Sequence, residues 1–181
     1  MSIRFGEIRQ IAFVVDDIDA VMAYWTDVLG VGPFFVKRRL RFDKYVYRGE
    51  PRKSSAISIA LANSGGLQVE LVEQHDDRPS IYKEFRDRQG QGFQHVSAWL
   101  TRADFDATRE RLLAAGMALA QSGTIPSSGV RLAYFASEDG PGGFIYEIAD
   151  LKEPDQYARV MNIAKAAAEW DGGQAVIEVD K

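Results

Sequence analysis

The chain contains no cysteine and only two histidines, His75 and His95, among its 181 residues. Without cysteine there are no disulfides or thiolate metal sites, so a transition-metal site must use imidazole, carboxylate and amide ligands. No apolar run approaches membrane-spanning length, and the N-terminus lacks the pattern of a signal peptide. The chain also has no excess of positive charge, because it contains 22 basic and 26 acidic residues. We therefore expect a soluble, cytoplasmic protein with no nucleic-acid or membrane partner.

His95 lies in the middle of a segment, GFQHVSAWL at 92–100, that otherwise has the pattern of a buried β-strand. A similar segment, IRQIAFVV at 8–15, occurs in the first half of the chain and carries Gln10 at the corresponding place. In each half, the strand pattern is followed by a helical pattern that ends at a glycine. This correspondence indicates two related modules, and an internal repeat constrains the fold more than any single motif does.

Each half also contains a later strand-like run with one glutamate among apolar residues. These are Glu70 in LQVELV and Glu147 in FIYEIA. The strand alternation places Glu70 on the face opposite Leu67, Val69 and Leu71. A carboxylate in such a run requires a partner, because an uncompensated buried charge costs several kcal/mol.

Other elements follow from spacing and turn residues. Helical spacing predicts four helices, the first capped by Asp16 or Asp17. Alternation predicts further strands, and the strand at 144–149 follows the turn at residues 139–143. The predicted helices are 18–29, 81–88, 104–115 and 155–170. The predicted further strands are 57–61, 67–72, 130–136, 144–149 and 175–179.

Four polar side chains interrupt the strands, and each lies opposite its strand's best apolar neighbours. If the two modules pair about a pseudo-two-fold axis, the four side chains converge in one pocket. A divalent cation would then relieve the repulsion between two buried carboxylates. One imidazole, two carboxylates and one amide oxygen suit Zn²⁺, Ni²⁺, Co²⁺ or Mn²⁺, and less well Fe²⁺. The predicted metal ligands are Gln10, Glu70, His95 and Glu147.

The segments IRQIAFVVDDIDAVMAYWTDVLGV, LQVELVEQ, GQGFQHVSAWL and GGFIYEIADL resemble four landmarks of the vicinal oxygen chelate (glyoxalase/bleomycin resistance/dioxygenase) superfamily. The resemblance is strongest to the branch with methylmalonyl-CoA epimerase and glyoxalase I, and it spans residues 7–150. It implies an α+β fold in which two βαβββ modules, about 7–74 and 92–150, form a curved, barrel-like mixed sheet with helices outside. A C-terminal helix and tail occupy 151–181.

The resemblance also implies chemistry. The family's metal ligands fall at the strand positions occupied here by Gln10, Glu70, His95 and Glu147, and glyoxalase I in some lineages uses this same set with zinc. A substrate carbonyl or enediolate oxygen binds the metal, and a carboxylate moves the proton of the adjacent carbon. The implied catalytic residues are Glu147 as the base and Glu70, which can exchange roles with it. The expected enzyme is an isomerase, epimerase or lyase for a small carbonyl substrate, and family members commonly form homodimers.

Two departures from the branch bear on the substrate. Methylmalonyl-CoA epimerases carry a further catalytic glutamate shortly upstream of the position of Glu70. Here RKSSAISIA occupies that neighbourhood, and Glu50 lies a few residues too early. A glutathione-binding set of arginines is not recognisable either.

Alternatives remain for the protein and for two of its features. The chain could be a metal-free binding protein of the resistance type, or less readily an Fe²⁺ extradiol-type dioxygenase, which normally needs two histidines and one carboxylate. His75 is predicted as a solvated loop residue. The basic segment 37–53 forms either a solvated rim or the site for an anionic substrate tail, such as a carboxylate or a CoA phosphate.

Overall fold

The structure is a computed structural model that describes residues 5–136 and 145–179. The predicted turn at 139–143 and the first residue of the strand after it lie outside these residues. The described strands are β1 Ile8–Val14, β2 Phe34–Leu40, β3 Asp43–Tyr47, β4 Glu50–Pro51, β5 Ile57–Ser64, β6 Leu67–Gln74, β7 Gly92–Trp99, β8 Ala118–Thr124, β9 Arg131–Ala136, β10 Ile145–Ala149 and β11 Val176–Glu178. The described helices are α1 Ile18–Asp27, α2 Ile81–Gln89, α3 Arg102–Ala114 and α4 Pro154–Glu169.

The described strands form one open mixed sheet in the order β11-β2-β5-β6-β1-β7-β10-β9-β8-β3-β4. Its centre is the antiparallel pair β1 and β7. On each side of this pair lies a parallel neighbour, β6 or β10, followed by that neighbour's antiparallel partner, β5 or β9. The two halves thus repeat one topology about the central pair, and the predicted α+β fold with a large curved sheet and a C-terminal helix is confirmed.

Helix α1 covers one face of the first half of the sheet. The side chain of Asp17 caps the helix by accepting a 2.9 Å hydrogen bond from the backbone N–H of Ala20, as an N-terminal carboxylate is expected to do. Ile18 and Met22 are wholly buried and pack with Leu71 of β6. Burying each such side chain contributes about 1.5–3 kcal/mol, which fixes the helix on this face.

Helix α3 occupies the equivalent place in the second half. Thr101 accepts a 3.1 Å hydrogen bond from the N–H of Asp104 and begins the helix. Phe105 and Leu112 pack against Phe135 of β9. The outer face of each half is therefore covered by its own helix, which leaves the opposite face for the polar side chains.

The opposite face carries the largest apolar cluster of the described residues. It combines strand residues such as Val72 and Trp99 with Ile81 and Tyr82 from α2 and Val160 from α4. Helix α2 lies in the connector between the two predicted modules, residues 75–91. It therefore covers part of the polar face. None of the described helices combines the length and apolar character that crossing a membrane requires.

Further strands extend the sheet beyond the repeat at both edges. The basic segment forms β2 and the hairpin β3–β4, and β3 pairs with β8 of the other half. At the opposite edge, β11 pairs in parallel with β2. The predicted final strand at 175–179 is thus present, and the tail beyond residue 150 is joined to the sheet.

Candidate metal centre

Strands β6, β7 and β10 each supply one polar side chain to the same place on the polar face of the sheet. Glu70 of β6 and His95 of β7 both pair with Ala12, which lies between them on β1. Because Ala12 carries only a methyl group, the space above it is left to its two neighbours. Glu147 of β10 lies on the other side of β7, where it pairs with Ser97.

The three side chains form a compact, buried group. Nε2 of His95 lies 3.2 Å from Oε2 of Glu70 and 3.5 Å from Oε2 of Glu147. One ligand atom from each residue lies within 4.8 Å of the other two. Glu70 is only 7% exposed, Glu147 3% and His95 0%. Nε2 of His95 is buried, and within the described part of the chain its contacts with these two carboxylates are ion pairs rather than well-aligned hydrogen bonds.

Burial and the charges within the group shift the pKa values of Glu70 and His95. Burial raises the pKa of Glu70, and the charge of Glu147 raises it further, against the opposing effect of His95. Burial works to lower the pKa of His95, but the close contact and negative charge of Glu147 and Glu70 outweigh it and raise that pKa to about 9. Without a metal, the imidazole therefore holds a proton at neutral pH, and this proton occupies the place of a cation.

The geometry fits a divalent ion. Ligand atoms about 2.0–2.2 Å from one tetrahedral ion are about 3.4 Å apart, close to the distances found here. A buried imidazole nitrogen without a well-aligned hydrogen bond is costly, and a metal ion would satisfy it. One nitrogen and two carboxylate oxygens form the borderline-to-hard set that zinc and its neighbours accept. Glu70, His95 and Glu147 are thus suited to hold such an ion.

Gln10, the fourth predicted ligand, lies on the same face two residues before Ala12 on β1. Its neighbours across the sheet are Gln68 and Ser97, and its Nε2 donates a 2.9 Å hydrogen bond to Oε1 of Gln68. The structure therefore brings three of the four predicted residues together and places Gln10 beside them. Its role as a ligand stays a prediction.

Three residues that the sequence did not indicate surround the group. Oε1 of Gln94 lies 2.6 Å from Nδ1 of His95. The ring of Tyr134 packs edge-on against the imidazole, with the ring centroids 5.5 Å apart, and the hydroxyl of Tyr82 donates a 3.0 Å hydrogen bond to that of Tyr134. Burial and the nearby carboxylates raise the pKa of both tyrosines well above its usual value. Both phenols therefore stay neutral.

His75 and Glu50 lie apart from this centre. His75 lies in a loop, as predicted, but its side chain is only 16% exposed and is not solvated: its Nε2 lies 2.6 Å from Oγ of Ser58, and its Nδ1 lies 3.2 Å from Oε1 of Glu73. These two contacts occupy both ring nitrogens of His75. Glu50 is exposed on β4 and does not join the buried group.

The basic segment lines an open pocket of about 470 Å³. Arg41 and Arg78 reach the pocket and share Asp76 as an ion-pair partner. The other basic residues that line it have no acidic partner among the residues that the structure describes. They are Lys44, Arg52 and Lys53. Lys44 also adopts a positive φ of 48°, which is uncommon for a residue with a side chain.

This pocket and the buried group border the same apolar cluster. Tyr45 lines the pocket and packs in the cluster that contains Tyr82 and Tyr134. Tyr134 in turn contacts His95. The cationic pocket and the candidate metal centre are therefore connected through one apolar cluster.

The sequence over residues 9–135 matches the Glyoxalase/Bleomycin resistance protein/Dioxygenase superfamily. The match covers most of the chain, and the chain belongs to this superfamily. Among curated protein sequences, none matches the chain significantly.

Solved structures share the fold at low sequence identity. Methylmalonyl-CoA epimerase from Mycobacterium tuberculosis is 20% identical, with a TM-score of 0.60 over 87% of this chain and 96% of the epimerase. A hypothetical protein from Bacillus halodurans C-125 is 19% identical, with a TM-score of 0.57 over 81% and 95% of the two chains. A variant of Streptomyces coelicolor methylmalonyl-CoA epimerase in complex with 2-nitronate-propionyl-CoA is 18% identical, with a TM-score of 0.52 over 80% and 94%.

Proposed function

We propose that this protein is a metal-dependent isomerase or epimerase, or a lyase, that moves a proton on the carbon next to a substrate carbonyl. The observation that supports this most strongly is the buried group of Glu70, His95 and Glu147, in which Nε2 of His95 lies 3.2 and 3.5 Å from the two carboxylates without a well-aligned hydrogen bond. A metal-free binding protein would have no use for two buried carboxylates beside an imidazole.

The residues divide the work as follows. Glu70, His95 and Glu147 hold the ion, and the amide oxygen of Gln10 is the proposed fourth ligand. Zn²⁺, Co²⁺, Ni²⁺ and Mn²⁺ all suit this set better than Fe²⁺ does. When bound, such an ion supplies Lewis acidity toward a carbonyl oxygen.

Glu147 is the proposed base. Its carboxylate takes the proton from the carbon next to the carbonyl, and the electron pair of the broken C–H bond moves into the enolate. Return of a proton to the other face of this carbon, or to a neighbouring atom, completes the reaction without an oxidant or reductant. Glu70 is the second carboxylate and can exchange roles with Glu147, since burial raises its pKa and favours its protonated form.

The apolar surroundings support this chemistry. Tyr82, Tyr134 and Trp99 border the buried face and exclude water, which strengthens the electrostatic interactions of the carboxylates. A dry, pre-arranged site stabilises the developing charge on the substrate oxygen, usually the largest single contribution to catalysis.

The cationic pocket supports a substrate with a phosphate-bearing tail, such as an acyl-CoA. Lys44, Arg52 and Lys53 supply unpaired positive charge in an open pocket, and guanidinium and ammonium groups bind phosphate well. Two structural relatives were solved with a propionyl-CoA analogue or with methylmalonyl-CoA. Like other members of the superfamily, the protein is proposed to act as a homodimer.

The proposed reaction is tested by deuterium incorporation from D₂O into a panel of acyl-CoA and 2-oxo substrates with added Zn²⁺, Co²⁺ or Mn²⁺. We expect exchange with at least one substrate, and a decrease of about 10²–10⁴-fold in Glu147→Gln. Glu110→Gln, on the exposed side of α3, is the matched control. Exchange that is undiminished in Glu147→Gln would remove Glu147 as the base, and a panel without exchange would contradict the isomerase function.

The proposed tail site is tested by comparing acyl-CoA with the same acyl-pantetheine, which lacks the nucleotide phosphates. In the double variant Arg52→Ala with Lys53→Ala, we expect KM for acyl-CoA to rise by about tenfold, because two charge-assisted contacts are lost. KM for acyl-pantetheine should stay the same. Lys165→Ala on α4 serves as the control cation. An equal change for both substrates would show that the pocket does not bind the phosphates.

A further inference from the structure

The side-chain amide of Gln94 connects the imidazole of His95 to the first turn of helix α2. Its Oε1 lies 2.6 Å from Nδ1 of His95, and its Nε2 donates a 3.1 Å hydrogen bond to the backbone carbonyl of Ile81. Gln94 is 1% exposed, so water does not compete for either contact. The amide has few alternatives to these two partners.

The carbonyl of Ile81 determines which way the amide of Gln94 is turned. A carbonyl oxygen only accepts hydrogen bonds, so the NH₂ group must face Ile81 and the amide oxygen must face His95. The amide oxygen also only accepts, and Nδ1 of His95 must therefore carry the proton of this contact. In the neutral imidazole, Nε2 is then the atom with the free lone pair, and Nε2 is the atom that lies beside Glu70 and Glu147.

A β-bulge brings Gln94 to the side of His95. Along the β1–β7 pairing, Ala12 is opposite His95 and Phe13 is opposite Phe93, so that Gln94 is the additional residue. In a regular strand, neighbouring side chains point to opposite faces. The extra residue changes this alternation, and bulges beside active sites characteristically re-aim a side chain in this way.

We propose that Gln94 is a positioning residue that fixes the Nδ1-protonated tautomer of His95 and so presents Nε2 to a divalent metal ion. This role rests on the metal centre of the proposed function. A group that accepts the second ring N–H of a metal-binding histidine orients the ring and makes the other nitrogen a better ligand. Here the backbone of α2 holds that group in turn, so the start of the helix and the metal centre are coupled through one amide.

The test is Zn²⁺ affinity, measured by competition with a chromophoric chelator. Gln94→Leu keeps the approximate size of the side chain but removes the acceptor, and we expect Zn²⁺ affinity to fall by about 10–100-fold. In the zinc-loaded protein, the Nδ1 proton of His95 should also lose its protection from exchange with water, as detected by NMR. Gln94→Glu keeps an acceptor for Nδ1–H, and in the neutral acid form, which burial favours, its O–H replaces the amide donor to Ile81. This variant should restore affinity to within about threefold of the unaltered protein.

Gln121→Leu is the matched control, because Gln121 also holds the start of α2 without contacting His95. Its Oε1 accepts hydrogen bonds from the N–H of Ile81 (3.2 Å) and the hydroxyl of Tyr45 (2.7 Å). If Gln94 acts through the imidazole, Gln121→Leu keeps its Zn²⁺ affinity. An equal loss in both leucine variants would overturn the proposal, since the effect would then come from displacement of the helix.

The outcomes separate this role from the metal centre itself. Zn²⁺ binding by the unaltered protein, together with unchanged binding by Gln94→Leu, would overturn only the role of Gln94. Failure of the unaltered protein to bind Zn²⁺ would overturn the metal centre and the role of Gln94 together. If Gln94→Leu does not fold, the comparison of Gln94→Glu with the unaltered protein decides, and a large loss of affinity there would contradict the proposal.

Discussion

At the scale of single residues, the imidazole of His95 contacts two buried carboxylates, those of Glu70 and Glu147. Burial alone would make it neutral, but Glu147 and Glu70 raise its pKa to about 9. The proton on the ring and a divalent cation therefore compete for the same place. This competition gives the centre a pH dependence of definite sign.

We expect the apparent affinity for Zn²⁺ to rise with pH by about tenfold per unit below pH 9, because binding must displace the proton of His95. The rise should end once the pH exceeds this pKa. Calorimetry at pH 7 in two buffers with different ionisation enthalpies should show about one proton released from His95 per ion bound. An affinity that is constant from pH 6 to pH 8 would contradict the raised pKa of His95.

The stability of the metal-free protein should change in the opposite direction. A pKa raised from 6.5 to about 9 on folding means that the protonated imidazole stabilises the folded state fully below pH 6.5. This contribution is lost as the pH rises through 9. Chemical denaturation of the metal-free protein at several pH values measures the loss, and His95→Gln should not show it.

Which residues form the site could be predicted only in part from the sequence. Strand alternation placed Glu70, His95 and Glu147 on one face, because each interrupts an apolar run with period two. Regular alternation along β7 would put Gln94 on the face opposite His95, whereas in the structure its side chain contacts the imidazole. The β-bulge that moves Gln94 arises from pairing with β1, and the sequence of β7 alone carries no sign of it.

At the scale of secondary-structure elements, the hairpin β3–β4 attaches the first half of the chain to the second half. Phe42, just before β3, packs over Gly123 of β8, and its backbone N–H donates a 3.0 Å hydrogen bond to Oγ of Ser54. A Cβ atom at Gly123 would lie 2.8 Å from Cβ of Phe42. The missing side chain at Gly123 is therefore what lets the two elements meet.

We expect Gly123→Ala to lower the free energy of unfolding by about 1–3 kcal/mol, because Phe42 must shift to admit the methyl group. Reduced freedom of the unfolded chain offsets about 0.4–1 kcal/mol of this. Urea denaturation measures the difference. Gly66→Ala is the control, since no atom lies within 4 Å of a Cβ there. Equal stability of the two variants would refute the close contact.

The elements differ in how far the sequence predicts them. Helices α1 and α3 were predicted because the Asp17 cap of the first and the apolar stripes of both are local signals. The strands of the basic segment were not predicted, since their polar composition is typical of a solvated loop. The partner of β3, strand β8, is distant in sequence, and such non-local pairing leaves no periodic pattern in the segment itself.

At the scale of the whole molecule, the internal repeat determines the site. Two halves of one topology meet at β1 and β7, and this junction brings Glu70 of the first half beside His95 and Glu147 of the second. The repeat could be predicted because corresponding polar residues interrupt corresponding strands. The cover that α2 forms over the polar face could not, since Ile81 and Tyr82 lie in the segment predicted as a connector.

The division into a domain at 7–150 and a tail at 151–181 remains a proposal. The tail adds α4 and β11 to the same sheet, and the backbone of β11 bonds to β2 on both sides of their pairing: Phe34 donates to Ala175, and Val179 donates to Val36. The tail therefore covers an edge of the first half, whatever its part in function.

The most direct test of the metal centre is the metal content of the purified protein after equilibration with Zn²⁺ and removal of free ions by gel filtration. The account predicts one zinc ion per chain in the unaltered protein and none in the double variant Glu70→Gln with His95→Gln. Folded protein that retains no zinc would contradict it, and so would a double variant that binds zinc as the unaltered chain does.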